Sequence, residues 1–286
     1  MAQKRAMIDM LKADYPVRTL CQFLDCSPSS YYYKQTEKQV DSELESAIES
    51  LLAEYPYLGY RMIQVRLAKK VIVASERQIR RLLRRLKRTR SVGRVQTTDS
   101  THTHPRFPNA IRRLTPSYPD HVWVADITYI RYGRHFVYLA VILDAYTRAV
   151  RGWQLEEFLT CEALTLPALK MALKGGRPTY FHSDQGRQYA ATDHVDLLKK
   201  HEVVVSMSDA GCPTQNGLVE RFIRTLKDEH VAYSEYGSFG EMRRQVKAYL
   251  EEEYNVNRPH SALGYMTPVE FDAEYRYAKG LGVHLV

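Results

Sequence analysis

Three β-rich runs follow one another in the middle of the chain: Val122 to Ile130, His135 to Leu143 and Ala149 to Leu155, with a Tyr132-Gly133 turn signal after the first. Runs so rich in branched and aromatic residues, with so little chain between them, are expected to pair as a meander. The pattern then alternates. A helix is expected around Cys161 to Lys174, a strand over Pro178 to Ser183, a helix over Thr192 to His201, a short apolar strand over Val203 to Val205, and a long helix from about Gln215 to Val231. The order β-β-β-α-β-α-β-α predicts an α/β domain built on a mixed five-stranded sheet.

Two aspartates break into these strands, where an unpaired ion is costly to bury. Asp126 lies within the first run, and Asp184 lies where the fourth strand ends, in His182-Ser-Asp-Gln-Gly-Arg-Gln-Tyr189. Taken singly, each reads as a capping or turn residue. Brought together at the edge of the sheet they repel unless a cation lies between them, and a divalent ion held by oxygen ligands is the natural cation for phosphoryl chemistry. A third ligand is expected from a neighbouring helix. Glu220, Arg224 and Lys227 share one face of the last helix, while Leu218, Phe222 and Leu226 recur at fours and face the core. On an isolated helix Glu220 and Arg224 would be an ordinary surface pair. Asp144, Asp193, Asp209 and Glu229 compete for the same role. Asp193 reads as a helix-start residue, Glu229 falls on the opposite helix face from Glu220, and Asp144 takes either sheet face according to strand register.

Charge is distributed unevenly. Residues 1–100 hold 19 Lys and Arg against 11 Asp and Glu, which accounts for the whole formal net charge of +8. An excess confined to the first third suits a module that binds a polyanion. It is densest on a helix opened by Ser75, an N-cap candidate. There Ile79, Leu82, Leu83 and Leu86 form a stripe to be buried, and Arg77, Arg80, Arg81, Arg84, Arg85, Lys87 and Arg88 occupy the other faces with no acid after Glu76. Solvated faces usually mix signs, and like charges four apart repel by roughly a few tenths of a kcal/mol each. Nucleic-acid phosphate offsets that repulsion, because guanidinium matches it in charge and in bidentate geometry. Two further helices precede this one, the first carrying Leu44, Ile48, Leu51 and Leu52, the second opened by Tyr60 and carrying Ile63, Val65 and Leu67. Upstream, Val17 to Leu24 and Ser29 to Tyr33 read as two short helices about a turn, with Ser27 as N-cap and Pro28 first in the helix. A helix-turn-helix fits them, although segments so short match by chance. Ser91 to Asp120 reads as a linker with four prolines, and its His102 and His104 have no partners at metal-ligand spacing.

Thirty-five residues lie between Asp184 and Glu220, and Lys227 follows Glu220 at plus seven. Together with Trp123-Val-Ala-Asp-Ile-Thr128, His182-Ser-Asp-Gln-Gly186, Asn216 before Glu220-Arg-Phe, Tyr254-Asn-Val-Asn-Arg-Pro-His-Ser-Ala-Leu-Gly264, Thr267-Pro268 and, upstream, Tyr57-Leu-Gly-Tyr-Arg61, this spacing resembles the OrfB transposases of the IS-three family of insertion sequences, whose catalytic core is of the Asp-Asp-Glu integrase type. The resemblance covers nearly the whole chain. It implies a short helical segment over 1–36, a helix-turn-helix-like DNA-binding region over 37–92, a linker over 93–117, an RNase H-like integrase core over 118–233 and a helical extension over 234–286. It also implies metal-dependent cleavage and transfer of DNA strands, with water or a DNA 3′-hydroxyl as the attacking group. Asp126, Asp184 and Glu220 are then expected to converge on two Mg²⁺ or Mn²⁺ ions. Arg77, Arg80, Arg81, Arg84, Arg85, Arg88, Arg224 and Lys227 are expected to contact DNA. The implied partners are double-stranded DNA of the element ends and target, further copies of the chain on that DNA, and an upstream OrfA product, fused or separate. In two respects the chain departs from related patterns. Gln215 stands where many relatives have Asp before Asn, and the His-His-Cys-Cys zinc module of retroviral integrases is absent.

No apolar run approaches the roughly 18 residues needed to span a membrane, and the start Met1-Ala-Gln-Lys-Arg lacks the apolar stretch of a secretory signal. A cytoplasmic, prokaryotic setting is expected. Cys21, Cys26, Cys161 and Cys212 form no CxxC pair and are expected as free thiols. Two other functions compete: a DNA-binding regulator without chemistry, and an RNase H-like nuclease that cuts one strand. Three intact carboxylates stand against the first, and the basic first third with the long C-terminal tail against the second.

Overall fold

Short amphipathic segments bury little surface alone, and those at the start of the chain fold back on one another. Helices α1 (Ala2–Leu11), α2 (Val17–Phe23) and α3 (Pro28–Tyr32) enclose a small core of Ile8, Leu20 and Cys21. Ser27 Oγ accepts from the Ser30 amide at 3.1 Å, and Asp25 turns the chain with φ 47°, so the two helices about a turn expected here are present. The computed structural model describes residues 2–32, 42–86, 105–209 and 211–280. It divides into two units, Met1–Leu51 and Leu52–Val286, with α4 (Ser42–Glu54) running across the boundary.

In the second unit, α5 (Tyr60–Lys69) buries Ile63 and Leu67, and α6 (Glu76–Arg85) buries Ile79 and Leu82. Ser75 opens α6 with a reciprocal capping box: its hydroxyl accepts from the Gln78 amide, and its own amide donates to Gln78 Oε1 at 2.9 Å. Leu83 and Leu86 are only half-buried. Lys87, Arg88, His102 and His104 lie outside the described residues.

The sheet comprises β1 (Val122–Tyr132), β2 (His135–Asp144), β3 (Val150–Glu156), β4 (Tyr180–Ser183) and β5 (Val204–Met207), in the order β3-β2-β1-β4-β5. The meander strands pair antiparallel, whereas β1–β4 and β4–β5 pair parallel. This is the mixed RNase H-like sheet that the element order predicts. Strand alternation sorts its two faces. Val122, Val124, Val137, Leu139 and Val141 share a core with Val219, Phe222 and Leu226 of α9 (Gly217–Glu229). Trp123, Ala125, Ala140 and Ile142 share the other with Ala168, Leu169 and Ala172 of α7 (Leu166–Gly175) and with Leu198 of α8 (Thr192–Lys200). A wider π turn, Cys161–Thr165, leads into α7, so the single helix expected there has two geometries. All four cysteines are free, and among the described residues no helix is long and apolar enough to cross a membrane.

Gly152 marks the tightest approach of α7 to the sheet. A Cβ there would lie 2.3 Å from the Ala168 carbonyl oxygen and 2.8 Å from the Ala172 Cβ. Backbone cannot withdraw as a side chain would. Gly152→Ala is expected to lower stability by about 3 kcal/mol, the upper end of ordinary overpacking costs, read from the urea midpoint at unchanged m-value. A loss under about 1 kcal/mol would mean that α7 shifts freely.

Beyond α9 the chain continues through α10 (Phe239–Ala248), a π-wound stretch over Tyr249–Asn257 and α11 (Pro268–Ala278). The motif Tyr254 to Gly264 does structural work here. Asn255 stands in for a strand on the edge of β3, accepting from the Val150 amide at 2.9 Å and donating to its carbonyl at 3.1 Å. Arg258 makes a two-pronged pair with Glu229, both contacts at 2.6 Å. Arg66 of α5 pairs with Glu253, and Lys69 pairs with Glu270 at 2.8 Å, which ties the α5–α6 pair to this extension. The later part of the expected linker is also tied down: Asn109 Nδ2 donates to Gln215 Oε1 at 2.8 Å and the Ala110 amide donates to Ser206 Oγ at 3.0 Å.

Candidate active site

Asp126 sits in the middle of β1 opposite Val141. Its position in the strand alternation puts it on the α9 face of the sheet, with Val122 and Val124. The next amide, Ile127, donates to Asp126 Oδ1 at 2.8 Å. Asp184 follows the last residue of β4, and the Gly186 amide holds its Oδ1 at 3.0 Å. A Cβ at position 186 would fall 2.9 Å from that same oxygen, so only glycine leaves the carboxylate in place. Glu220 lies in the first turn of α9 and is exposed. The buried face of α9 is Val219, Phe222 and Leu226; Leu218, expected in the core, is half-buried beside it. One residue of rotation separates the two choices, and it is set by how α9 meets the sheet.

These three carboxylates share one electrostatic neighbourhood. Burial pushes the Asp126 carboxyl up to about 7; the Asp184 charge adds to that rise, the Ile127 amide opposes it, Glu220 raises it further and Lys227 lowers it. Lys227 is half-buried, and burial pulls its own pKa down while Asp126 resists. The hydroxyl of Tyr189, a residue 2% exposed, feels both Asp126 and Asp184 and has no hydrogen-bond partner among the described residues. Among the described residues no group of three or more His, Cys, Asp or Glu side chains converges tightly enough to form a ready-made metal-ligand set.

The competing acids are engaged elsewhere. Asp144 pairs in register with Trp123 and alternates with Ala140 and Ile142, so it lies on the sheet face away from Asp126. It is fully buried, bonded to Arg151 at 2.9 Å and to the Asp120 and Tyr146 amides at 2.8 Å each. Asp193 is in the first turn of α8. Asp209 pairs with Arg112 and accepts from Gln215 Nε2 at 2.9 Å. Glu229 is taken by Arg258.

Among the expected DNA contacts, Arg77, Arg80, Arg81, Arg84 and Arg85 are all exposed along α6, and Arg224 is exposed on α9. Arg80 is partly committed, bonded to Glu76 at 2.8 Å and stacked on the Tyr60 ring at 4.0 Å. Sequence reasoning gave no role to two motif residues. Gln215 joins Asn109, the Asp209 amide and the Asp209 carboxylate, and the buried Tyr189 feels the charge of both aspartates. The only sequence signal for either was its place inside a motif.

Families described as integrase core domains match residues 116–213 and 201–268. The chain is 34% identical over 269 residues to the insertion element IS600 uncharacterized 31 kDa protein of Shigella sonnei, spanning 90% of this chain and 98% of that protein. It is 31% identical over 288 aligned residues to transposase InsF for insertion sequence IS3A of Escherichia coli strain K12, spanning 94% and 98%. Among solved structures, the HTLV-2 integrase catalytic core in complex with magnesium matches 54% of this chain and 97% of its own at TM-score 0.43 and 18% identity. The BIV integrase catalytic core matches 56% and 99% at TM-score 0.44 and 23% identity. Similarity at this level over almost the full length of InsF, with the same core-domain family across the sheet that carries Asp126 and Asp184, makes this chain a member of the IS3 family of insertion-sequence transposases.

Proposed function

We propose that this transposase cleaves and joins DNA strands at the ends of an insertion sequence, with Asp126, Asp184 and Glu220 holding two divalent cations, Mg²⁺ or Mn²⁺. The observation that carries this reading is the pKa of Asp126, a carboxyl set in mid-strand and pushed up to about 7 by burial and by two more carboxylates. Such a donor set is short of positive charge, and hard oxygen ligands suit these ions. When bound, the cations supply Lewis-acid stabilisation of charge on the attacking and leaving oxygens. Asp126 and Asp184 contribute carboxylates fixed by backbone amides, and Glu220 contributes one from a helix start. Arg224 and Lys227 lie on the Glu220 face of α9 and meet DNA phosphate, while the arginines of α6 grip the duplex. The chain works in the cytoplasm as a homo-oligomer on DNA, together with an upstream OrfA product. Incubating a labelled element end with Mg²⁺ and the OrfA product is expected to give joined strands; nicking alone would indicate a nuclease, and binding alone a regulator.

The raised pKa of Asp126 has a stability consequence. Its folded value lies above the ordinary 3.8, so its contribution is fully present below about pH 4 and is lost as pH rises through about 7. In EDTA the melting temperature of the native chain should therefore fall between pH 4 and 7 more steeply than that of Asp126→Asn. Added Mn²⁺ should recover the difference at pH 7.5. Parallel pH profiles for the two proteins would remove the electrostatic argument for a cation.

A further inference from the structure

Asn216 stands directly before α9, where asparagine ordinarily caps a helix by accepting from an amide of the first turn. It makes no such bond. Its side chain turns inward instead, 4% exposed, and Nδ2 donates to the Ala125 carbonyl oxygen at 3.0 Å. A carbonyl only accepts, so the amide nitrogen must face β1. The remaining oxygen, Oδ1, is buried with no donor among the described residues.

The placement of this bond matters more than its strength. Ala125 adjoins Asp126, and Asn216 precedes Glu220 by four residues, about one turn of helix. A single hydrogen bond therefore joins the strand that carries one carboxylate to the start of the helix that carries another. Val219, Phe222 and Leu226 hold α9 on the sheet, but apolar contact is non-directional and tolerates sliding along the helix axis. A hydrogen bond has a narrow range of length and angle and resists that motion. Gln215, next in the chain, accepts from the Asp209 amide at 2.7 Å and from Asn109 at 2.8 Å. The entry to α9 is thus held both from β1 and from the loop after β5.

We infer that Asn216 is a positioning residue for strand cleavage and joining: its side-chain amide sets the axial position of α9 against β1 and with it the placement of Glu220 relative to Asp126. This rests on the reading of Asp126, Asp184 and Glu220 as the cation-binding set. The test uses the full chain with Asn216→Ala and Asn216→Ser. Serine still caps helices well but is too short to reach Ala125, so it separates helix initiation from the β1 bond and decides the matter if the alanine variant fails to fold. Expected for Asn216→Ser are cooperative unfolding, DNA affinity within about twofold of the native chain, and a Mn²⁺ half-saturation, measured by calorimetry without DNA, raised about tenfold. The kcat at saturating DNA should fall at least about tenfold with KM unchanged. A native-like Mn²⁺ titration and kcat in the serine variant would overturn the inference, provided Asp184→Asn abolishes Mn²⁺ uptake in the same experiment. Failure of the native chain itself to take up Mn²⁺ would overturn the carboxylate reading and the inference with it.

Discussion

Asp184→Asn is expected to lower strand cleavage and joining by at least about 10³-fold while leaving DNA affinity within about twofold. The size follows from the several kcal/mol of transition-state charge stabilisation that bound cations supply, at 1.36 kcal/mol per tenfold. Asparagine matches aspartate in shape, and its Oδ1 still accepts from the Gly186 amide that orients the native carboxylate at 3.0 Å. What changes is one negative charge. The exposed arginines of α6 are untouched, so a mobility-shift assay should look native while a labelled-end assay shows neither cleaved nor joined product. Joining retained at a tenth of the native rate would sink the assignment of Asp184 to the cation-binding set. Asp144 is not a ready substitute, because it is buried on the opposite face and occupied by Arg151.

The second large effect concerns the arginine helix. Arg77, Arg81 and Arg84 recur on one side of α6, are exposed, and show no acidic partner among the described residues. Changing all three to Glu should weaken binding to any DNA sequence on the order of 100-fold at about 0.1 M salt. It should also flatten the salt dependence, each lost phosphate contact lowering the slope by roughly 0.9. Folding is expected to survive. Ile79 and Leu82 supply the packing, the Ser75–Gln78 capping box opens the helix, and the Glu76–Arg80 pair remains. New Glu–Arg neighbours at 80/84 and 81/85 replace like-charge pairs of the native helix, which offsets the Glu–Glu pair created at 77/81. An unchanged salt slope in the folded variant would leave α6 as a solvated face and move DNA binding to another surface.

Both predictions draw on features unequally visible in the amino-acid order. Strand and helix order from Val122 to Glu229 was legible because period-two and period-3.6 patterns reflect burial on one side, and here the sheet buries both faces under separate helices. The caps at Ser27 and Ser75 were legible because capping is local: a side chain meets amides two or three residues on. Local reasoning did less well where the partner is remote. The Tyr254 to Gly264 motif was visible as a pattern, but its work, Asn255 closing the edge of β3 and Arg258 neutralising Glu229, depends on residues 105 and 29 positions away. The later part of the proline-bearing linker read as structureless because its fastenings, Asn109 to Gln215 and Ala110 to Ser206, are also distant.

By itself the sequence determined which residues carry charge within strands or at strand and helix ends, and therefore which acids were candidates to serve together. Only the tertiary structure showed which of them are engaged elsewhere. Strand register turned Asp144 away from Asp126, the rotation of α9 buried Val219 rather than Leu218, and Arg258 removed Glu229 from contention. The physical reason is that alternation and helical period assign a side chain to a face, whereas the identity of its neighbours depends on how separate elements dock. Docking is governed by contacts such as Asn216 to Ala125, 91 residues apart in the chain and 3.0 Å apart in the fold.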